Sequence, residues 1–308
     1  MIWTSQDLVR LASLVAGYLA TGMVPRRWDG AAGDALLRVA RPFFPQRELA
    51  QRISDGLGSR LAARSAGELA DQWLRFYVED AWGRARDLHG RGSRLRTMVT
   101  GGEHLEAARA EGRGAILWVM PFCGSRVFKA ALWHDRIPLV HLGRENHAVP
   151  STSWLALRIV SPFHRRAEGR YLVGTIIVPF EGFPRALGRL KDVLRQNQCL
   201  SMNAAGFGQQ EMTIDLLGQP TPLATGPPAL AHATGAALLP AYAEHSGRLE
   251  YRAVIERPLE SDRTLPRRDF VSRAVQEFGG RVEAQLVRRP QDWSPWRARP
   301  HEARRPAR

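Results

Sequence analysis

The run Ala115-Ile116-Leu117-Trp118-Val119-Met120 constrains the fold more than any other stretch of the chain. It holds no polar residue, and Gly112-Arg113-Gly114 before it reads as a turn. Side chains on a strand point alternately to opposite faces, so an unbroken apolar strand has to be covered on both sides. That places it inside a sheet with helices on either face. The neighbouring segments agree. Arg96 to Thr100, Pro138 to Leu142, Gly174 to Pro179, Cys199 to Ala204, Thr213 to Leu217, Ala237 to Ala243 and Leu249 to Ile255 read as strands. Helical spacing marks Gly102 to Glu111, Val127 to Trp133, Ser153 to Phe163, Pro184 to Gln196, Pro227 to Thr234 and Asp269 to Leu286 between them. The expected fold is α/β, a mixed sheet flanked by helices.

Residues 1–100 have a different character. Thr4-Ser5-Gln6-Asp7 resembles a capping box, and Leu8, Leu11, Ala12, Val15, Tyr18 and Leu19 then share one helical face. No charge occurs from Leu11 to Val24, a stretch shorter than the roughly 20 residues of a membrane span. Arg10 precedes it and Pro25-Arg26-Arg27-Trp28 follows, which fits a helix lying in a membrane interface; an ordinary buried helix is the alternative. Small-residue cleavage signals are lacking, which argues against a signal peptide. Ala31 to Ala40, Gln46 to Arg64 and Ala66 to Leu88 read as further helices. Three regions are therefore expected: a helical, membrane-associating region at 1–100, an α/β core at 101–288, and a basic tail at 289–308. From Arg288 onward, seven arginines stand against two carboxylates.

The formal net charge is +14, carried almost wholly by arginine, since Lys129 and Lys191 are the lysines. Arginine forks suit phosphates and carboxylates, so an anionic membrane surface, an acidic carrier and nucleic acid are all compatible with the charge. No nucleic-acid-binding motif accompanies it, and nucleic acid is not expected as a partner. Cys123 and Cys199 have no paired spacing, so neither a disulfide framework nor a zinc site is indicated. Gly-rich phosphate loops are likewise not seen.

Several segments resemble the bacterial lipid A biosynthesis acyltransferases (lauroyl/myristoyl), within the glycerolipid acyltransferase superfamily. Gly102-Glu103-His104-Leu105-Glu106-Ala107-Ala108 with Gly112 to Leu117 resembles that family's entry helix and first core strand. Arg185-Ala186-Leu187 to Leu190-Lys191 resembles a later helix. Leu216-Leu217-Gly218-Gln219-Pro220 keeps the glycine of an aromatic-Gly step, with leucine as the aromatic's replacement. Thr225-Gly226-Pro227, Thr234-Gly235-Ala236 and Arg289-Pro290-Gln291-Asp292-Trp293 to Trp296 follow in the family's order.

The resemblance implies acyl transfer from a thioester, acyl-carrier protein or acyl-CoA, to a hydroxyl or amine, with no cofactor besides that co-substrate. It implies a peripheral or monotopic protein at the cytoplasmic face of the bacterial inner membrane. The family uses a His and, after four intervening residues, Asp or Glu. Here that window reads Pro121-Phe122-Cys123-Gly124-Ser125-Arg126. Proline cannot take a proton from a hydroxyl, and arginine stays protonated. Replacement catalytic groups are sought nearby: His141 at the end of a strand, with His134 and His147 less well placed, or Cys123 as an acyl-accepting thiol. Arg126, Arg144, Gly218, Thr225 and Gly226 are the candidate substrate-binding residues. Two readings follow. One is an acyltransferase with altered chemistry; the other is a non-catalytic protein of the same fold that binds an acyl chain or carrier.

Overall fold

The computed structural model describes residues 5–61, 65–90, 92, 95–145, 153–178, 183–204, 210–260 and 262–297. Its elements in chain order are α1 (Ser5–Met23), α2 (Asp29–Ala40), α3 (Gln46–Leu57), α4 (Ala66–Leu88), β1 (Arg96–Thr100), α5 (Gly102–Ala110), β2 (Ala115–Val119), α6 (Ser125–His134), β3 (Leu139–Arg144), α7 (Ser161–Gly169), β4 (Gly174–Val178), α8 (Phe183–Arg195), β5 (Cys199–Asn203), β6 (Glu211–Leu216), β7 (Gln219–Ala224), α9 (Gly226–Thr234), β8 (Ala237–Gly247), β9 (Glu250–Ile255) and α10 (Arg267–Arg288). Seven strands form one sheet in the order β1-β9-β8-β2-β5-β3-β4. The β8–β9 pair is antiparallel and every other pair in that sheet is parallel. This is the mixed, helix-flanked α/β sheet that the sequence implies.

β2 lies at the centre, with all five residues buried. Ile116 and Trp118 face one core, where Trp118 stacks on Phe278 of α10 with ring centroids 3.8 Å apart. α3, α8, α9 and α10 supply that face through Ile53, Leu190, Leu230 and Val275. Ala115, Leu117 and Val119 face the second core, closed by Val127, Phe128 and Leu132 of α6. α4 serves both cores, with Trp73 in the first and Phe76 in the second. Ser65 and Glu68 form a capping box that starts it, satisfying two otherwise orphaned backbone donors.

Four elements differ from the sequence expectation. The helix read from Gln46 to Arg64 ends as α3 at Leu57, because Gly58 takes a positive φ there. β7 goes unread, because Pro220 and Pro222 look like loop residues; it pairs with β6 as a separate two-stranded hairpin, and such an edge position tolerates proline's missing N–H. Leu217 and Gly218, both at positive φ, make its two-residue turn. The expected helix from Ser153 to Phe163 instead passes through a π-turn at Ala156–Val160 and continues as α7 to Gly169. Pro162 then falls in the first turn of α7, where a donor is not needed. Finally, β8 runs four residues past Ala243, to Gly247.

In the N-terminal layer, Arg86 of α4 is buried and donates to Asp29 and to the carbonyls of Thr21 and Val24. Trp82 Nε1 donates to the same Asp29 oxygen at 3.0 Å. These bonds tie the end of α1 and the start of α2 to α4. Exposed in the same layer are Val15, Leu19, Met23, Trp28, Val39 and Phe43, the last at 85% exposure. Gly17 faces Ala85 of α4, so Val15 and Leu19, two residues to either side of it, sit on the far face of α1. No helix among the described residues is long and apolar enough to cross a membrane. Thr4 of the expected cap and the tail beyond Arg297 lie outside the described residues.

Removing one partner of a buried ion pair strands the other charge, at about 3–5 kcal/mol. Asp29→Ala is therefore expected to lower unfolding stability in urea by about that amount. The Asp29→Leu/Arg86→Met double variant should lose less than Asp29→Ala alone. A loss under about 1 kcal/mol in Asp29→Ala, the range of exposed ion pairs, would remove this joint from the account.

Candidate active site

The window that follows β2 sits beyond the carboxyl end of the central strands, where open α/β sheets place ligands. Met120 N–H still donates to Ala241 O. The chain then turns beneath the C-terminal segment: Cys123 N–H donates to Asp292 O at 2.7 Å, and Ser294 donates to Pro121 O through its N–H and its hydroxyl. Phe122 packs against Trp293 with centroids 5.0 Å apart, and Trp73 Nε1 donates to Trp293 O. Asp292-Trp293-Ser294 therefore fastens the window in place.

Arg126, in the first turn of α6, is fully buried. Its Nε donates to Asp80 Oδ1 at 2.8 Å and its Nη1 to Asp87 Oδ2 at 2.7 Å. Sequence reasoning placed this side chain as an anion-binding group of the substrate site; the structure instead commits it to two carboxylates of α4. Burial works against its charge, but Asp80 and Asp87 outweigh burial and hold it protonated. Two glycines make the geometry possible. A Cβ at Gly83 would collide with the guanidinium, and one at Gly124 would stand 3.2 Å from the Asp80 carboxylate. The charges continue outward. Arg84 donates to Asp80 at 2.7 Å and to Glu168 of α7 at 2.8 Å. Lys129 donates to Glu168, and Tyr171 O–H donates to Asp87 at 2.7 Å. Desolvation alone would raise the Asp80 carboxyl, yet Arg84 and Arg126 bring it below its ordinary value.

The candidate catalytic groups fare unevenly. Cys123 is buried at positive φ. Burial first, and then the negative charge of Asp292, push its thiol well above the usual range. Such a thiol is a poor nucleophile, because the thiolate is the reactive form. His141 is buried within the sheet, its Nδ1 2.8 Å from Ser201 Oγ. Ser201 is level with Leu117 and His141 is level with Ser201, so His141 lies two residues short of the end of β2 and two strands to its side. The structure does not bring it to Pro121 and Arg126. His134 closes α6 and bonds Thr97, while His147 lies outside the described residues.

Among the proposed substrate contacts, Arg144 ends β3 at the carboxyl edge of the sheet and is partly exposed. Gly218 turns the β6–β7 hairpin, its N–H donating to Asp215 at 2.6 Å. Thr225 directly precedes α9 and donates through Oγ1 to Gln210 O, and Gly226 packs near Met202. These last three thus have local structural duties.

Sequence reasoning missed one pair altogether. His245 Nε2 stands 3.2 Å from Glu79 Oε2, although 166 residues separate them. Glu79 Oε2 also accepts from Leu249 N–H at 3.2 Å and Tyr251 O–H at 3.0 Å. No spacing signal could have found this pair, because α4 and β8 meet only in the fold.

Placing a carboxylate at position 126, as the sequence resemblance would have it, is expected to fail. Arg126→Glu would set a third carboxylate between Asp80 and Asp87, and a loss of more than about 4 kcal/mol is expected in chemical denaturation. A stably folded Arg126→Glu protein would show that the ion cluster is dispensable. The acid side offers a second check. The Asp80 carboxyl is depressed in the folded chain, so its contribution is present above the unfolded value and fades as pH falls through the folded one. The stability gap between wild type and Asp80→Asn should therefore be full at pH 7 and shrink below the ordinary carboxylate value of 3.8. A gap independent of pH would contradict this.

No protein-family model matches the chain. Over 156 residues, 50% of its length, it is 31% identical to two curated proteins of Mycobacterium tuberculosis, from strains H37Rv and CDC 1551. Each is a phosphatidylinositol mannoside acyltransferase, and the matched stretch is 46% of either one, so the chain spans about half the length of the curated relatives it matches. The likeness is to a lipid acyltransferase, and it does not single out the lipid A type that the sequence motifs resemble.

Proposed function

We propose that the chain transfers an acyl group from a thioester, acyl-CoA or acyl-carrier protein, to a hydroxyl of a lipid at an anionic membrane surface. The carrying observation is the 31% identity to a lipid acyltransferase over half of the chain. The relatives' name points to a sugar-bearing phosphoinositide as the acceptor class. The α1–α2 layer supports docking on a membrane. Leu19, Met23, Trp28, Val39 and Phe43 are exposed, and Arg26, Arg27, Arg38 and Arg41 are exposed beside them in the chain. Apolar side chains entering the interface and arginines at headgroup level describe an interfacial helix pair. We place the protein at the cytoplasmic face of the bacterial inner membrane.

The buried ion cluster at Arg126 favours the second reading, a non-catalytic protein that binds the acyl donor, because it removes proton transfer from the usual place. One assay separates the two. Purified protein is given radiolabelled palmitoyl-CoA, or palmitoyl-loaded acyl carrier, and phosphatidylglycerol vesicles containing phosphatidylinositol mannosides. Labelled acyl-glycolipid supports transfer; donor binding without product supports the second reading.

Vesicle sedimentation tests the docking. Burying one large apolar side chain contributes about 1.5–3 kcal/mol, so Phe43→Glu/Val39→Glu is expected to weaken binding to phosphatidylglycerol vesicles at least about tenfold. Salt should weaken wild-type binding, since each arginine near the surface contributes about 1 kcal/mol that salt screens. Equal sedimentation of both proteins would exclude this layer as the docking face.

A further inference from the structure

We propose that His245, oriented by Glu79, is the general base of this site, taking over the role that Pro121 cannot perform; the proposal rests on the acyl-transfer reading above. The position is the first argument. β8 runs parallel to β2, with Ala241 opposite Val119. His245 is four residues further on, about 13 Å past the end of β2, and its partner Glu79 is the residue before Asp80, which holds Arg126 of the window. Arg289 of the C-terminal segment donates to His245 O and, through Nε, to Asp292, which holds the window.

The second argument is geometry. Glu79 Oε2 already accepts from Leu249 N–H and Tyr251 O–H, so the ring presents Nε2–H to it and keeps its lone pair on Nδ1. Phe76 and Tyr251 flank the ring at centroid distances of 6.0 and 5.2 Å, fixing its plane. A histidine held by a carboxylate through one nitrogen is the arrangement a general base needs. The side chain keeps 10% exposure, unlike His141 at 2% for the whole residue.

The third argument is access to lipid. The β8–β9 turn that follows His245 reaches the N-terminal layer, where Arg248 pairs with Asp34 of α2 at 3.1 Å. An acceptor hydroxyl at a membrane held by α1 and α2 would approach from that side.

The step balances simply. Nδ1 takes the acceptor's hydroxyl proton as its oxygen attacks the thioester carbonyl carbon. The C–S bond then breaks and the departing thiolate receives that proton, giving an ester and a free thiol. Charged and titratable groups at the ring are Glu79 from α4 and Tyr251 from β9, with Arg289 from the C-terminal segment on its backbone carbonyl.

The experiment uses the full chain in the palmitoyl-CoA and vesicle assay. His245→Gln is expected to lower kcat by about 10²–10⁴-fold, the usual contribution of a general base, while palmitoyl-CoA binding is retained. Added imidazole should restore part of the activity of His245→Ala, which a packing role would not allow. Glu79→Gln replaces the carboxylate that holds the ring, so kcat should fall while the KM for palmitoyl-CoA stays unchanged. Wild-type transfer that His245→Gln leaves intact, or a His245→Ala defect that imidazole cannot rescue, overturns the base assignment and leaves the acyl-transfer reading standing. Donor binding without transfer in the wild type overturns both.

Discussion

Arg126 carries its charge at 0% exposure, and every neighbouring feature of the site follows from that constraint. A buried guanidinium is tolerated only when carboxylates meet it with good geometry. Asp80 and Asp87 do so from one helix, seven residues apart and hence on the same face of α4. Gly83 lies between them and leaves the space that the guanidinium fills. Asp80 in turn engages Arg84, which engages Glu168, which engages Lys129. The outcome is a three-helix joint of α4, α6 and α7 built from charges. Such a joint contributes little net stability over an apolar one. What it fixes is position, holding the start of α6 and the loop before it against α4.

The C-terminal segment completes the fastening from the other side. Asp292 O accepts the Cys123 N–H, and Ser294 donates twice to Pro121 O. The loop after β2 is thus bound from two directions. A mobile lid over the window is inconsistent with this bonding.

Most of the sheet was legible because its signals are local. The apolar run at 115–120 called for cover on both faces, and the sheet with its two cores supplies it. The N-terminal helices could be read from their periodicity in the same way. β7 was hidden by Pro220 and Pro222, since proline ordinarily argues against a strand and only its place in a separate hairpin excuses it here. The site was far less legible. Arg126 at a helix start fits anion binding equally well until Asp80 and Asp87 are seen to face it, and those partners are 46 and 39 residues away. His141 seemed to end a strand, but β3 continues to Arg144 and keeps it within the sheet.

His245 illustrates the same limit most sharply. With the strand read as ending at Ala243, this residue falls in a loop, where an isolated histidine has no assigned direction. The observed β8 extends to Gly247 because β9 pairs with it in antiparallel fashion, through His245 opposite Tyr251. That pairing points the ring into the face occupied by Phe76 and Glu79. Proton transfer in an open α/β sheet need not come from the loop after one particular strand, because the carboxyl end of the sheet is lined by several strands at once. A base can move from the loop after one strand to the extension of its neighbour without disturbing the core beneath. What the move requires is a carboxylate on the helix that covers both strands, and Glu79, one residue before the aspartate that holds Arg126, occupies that place.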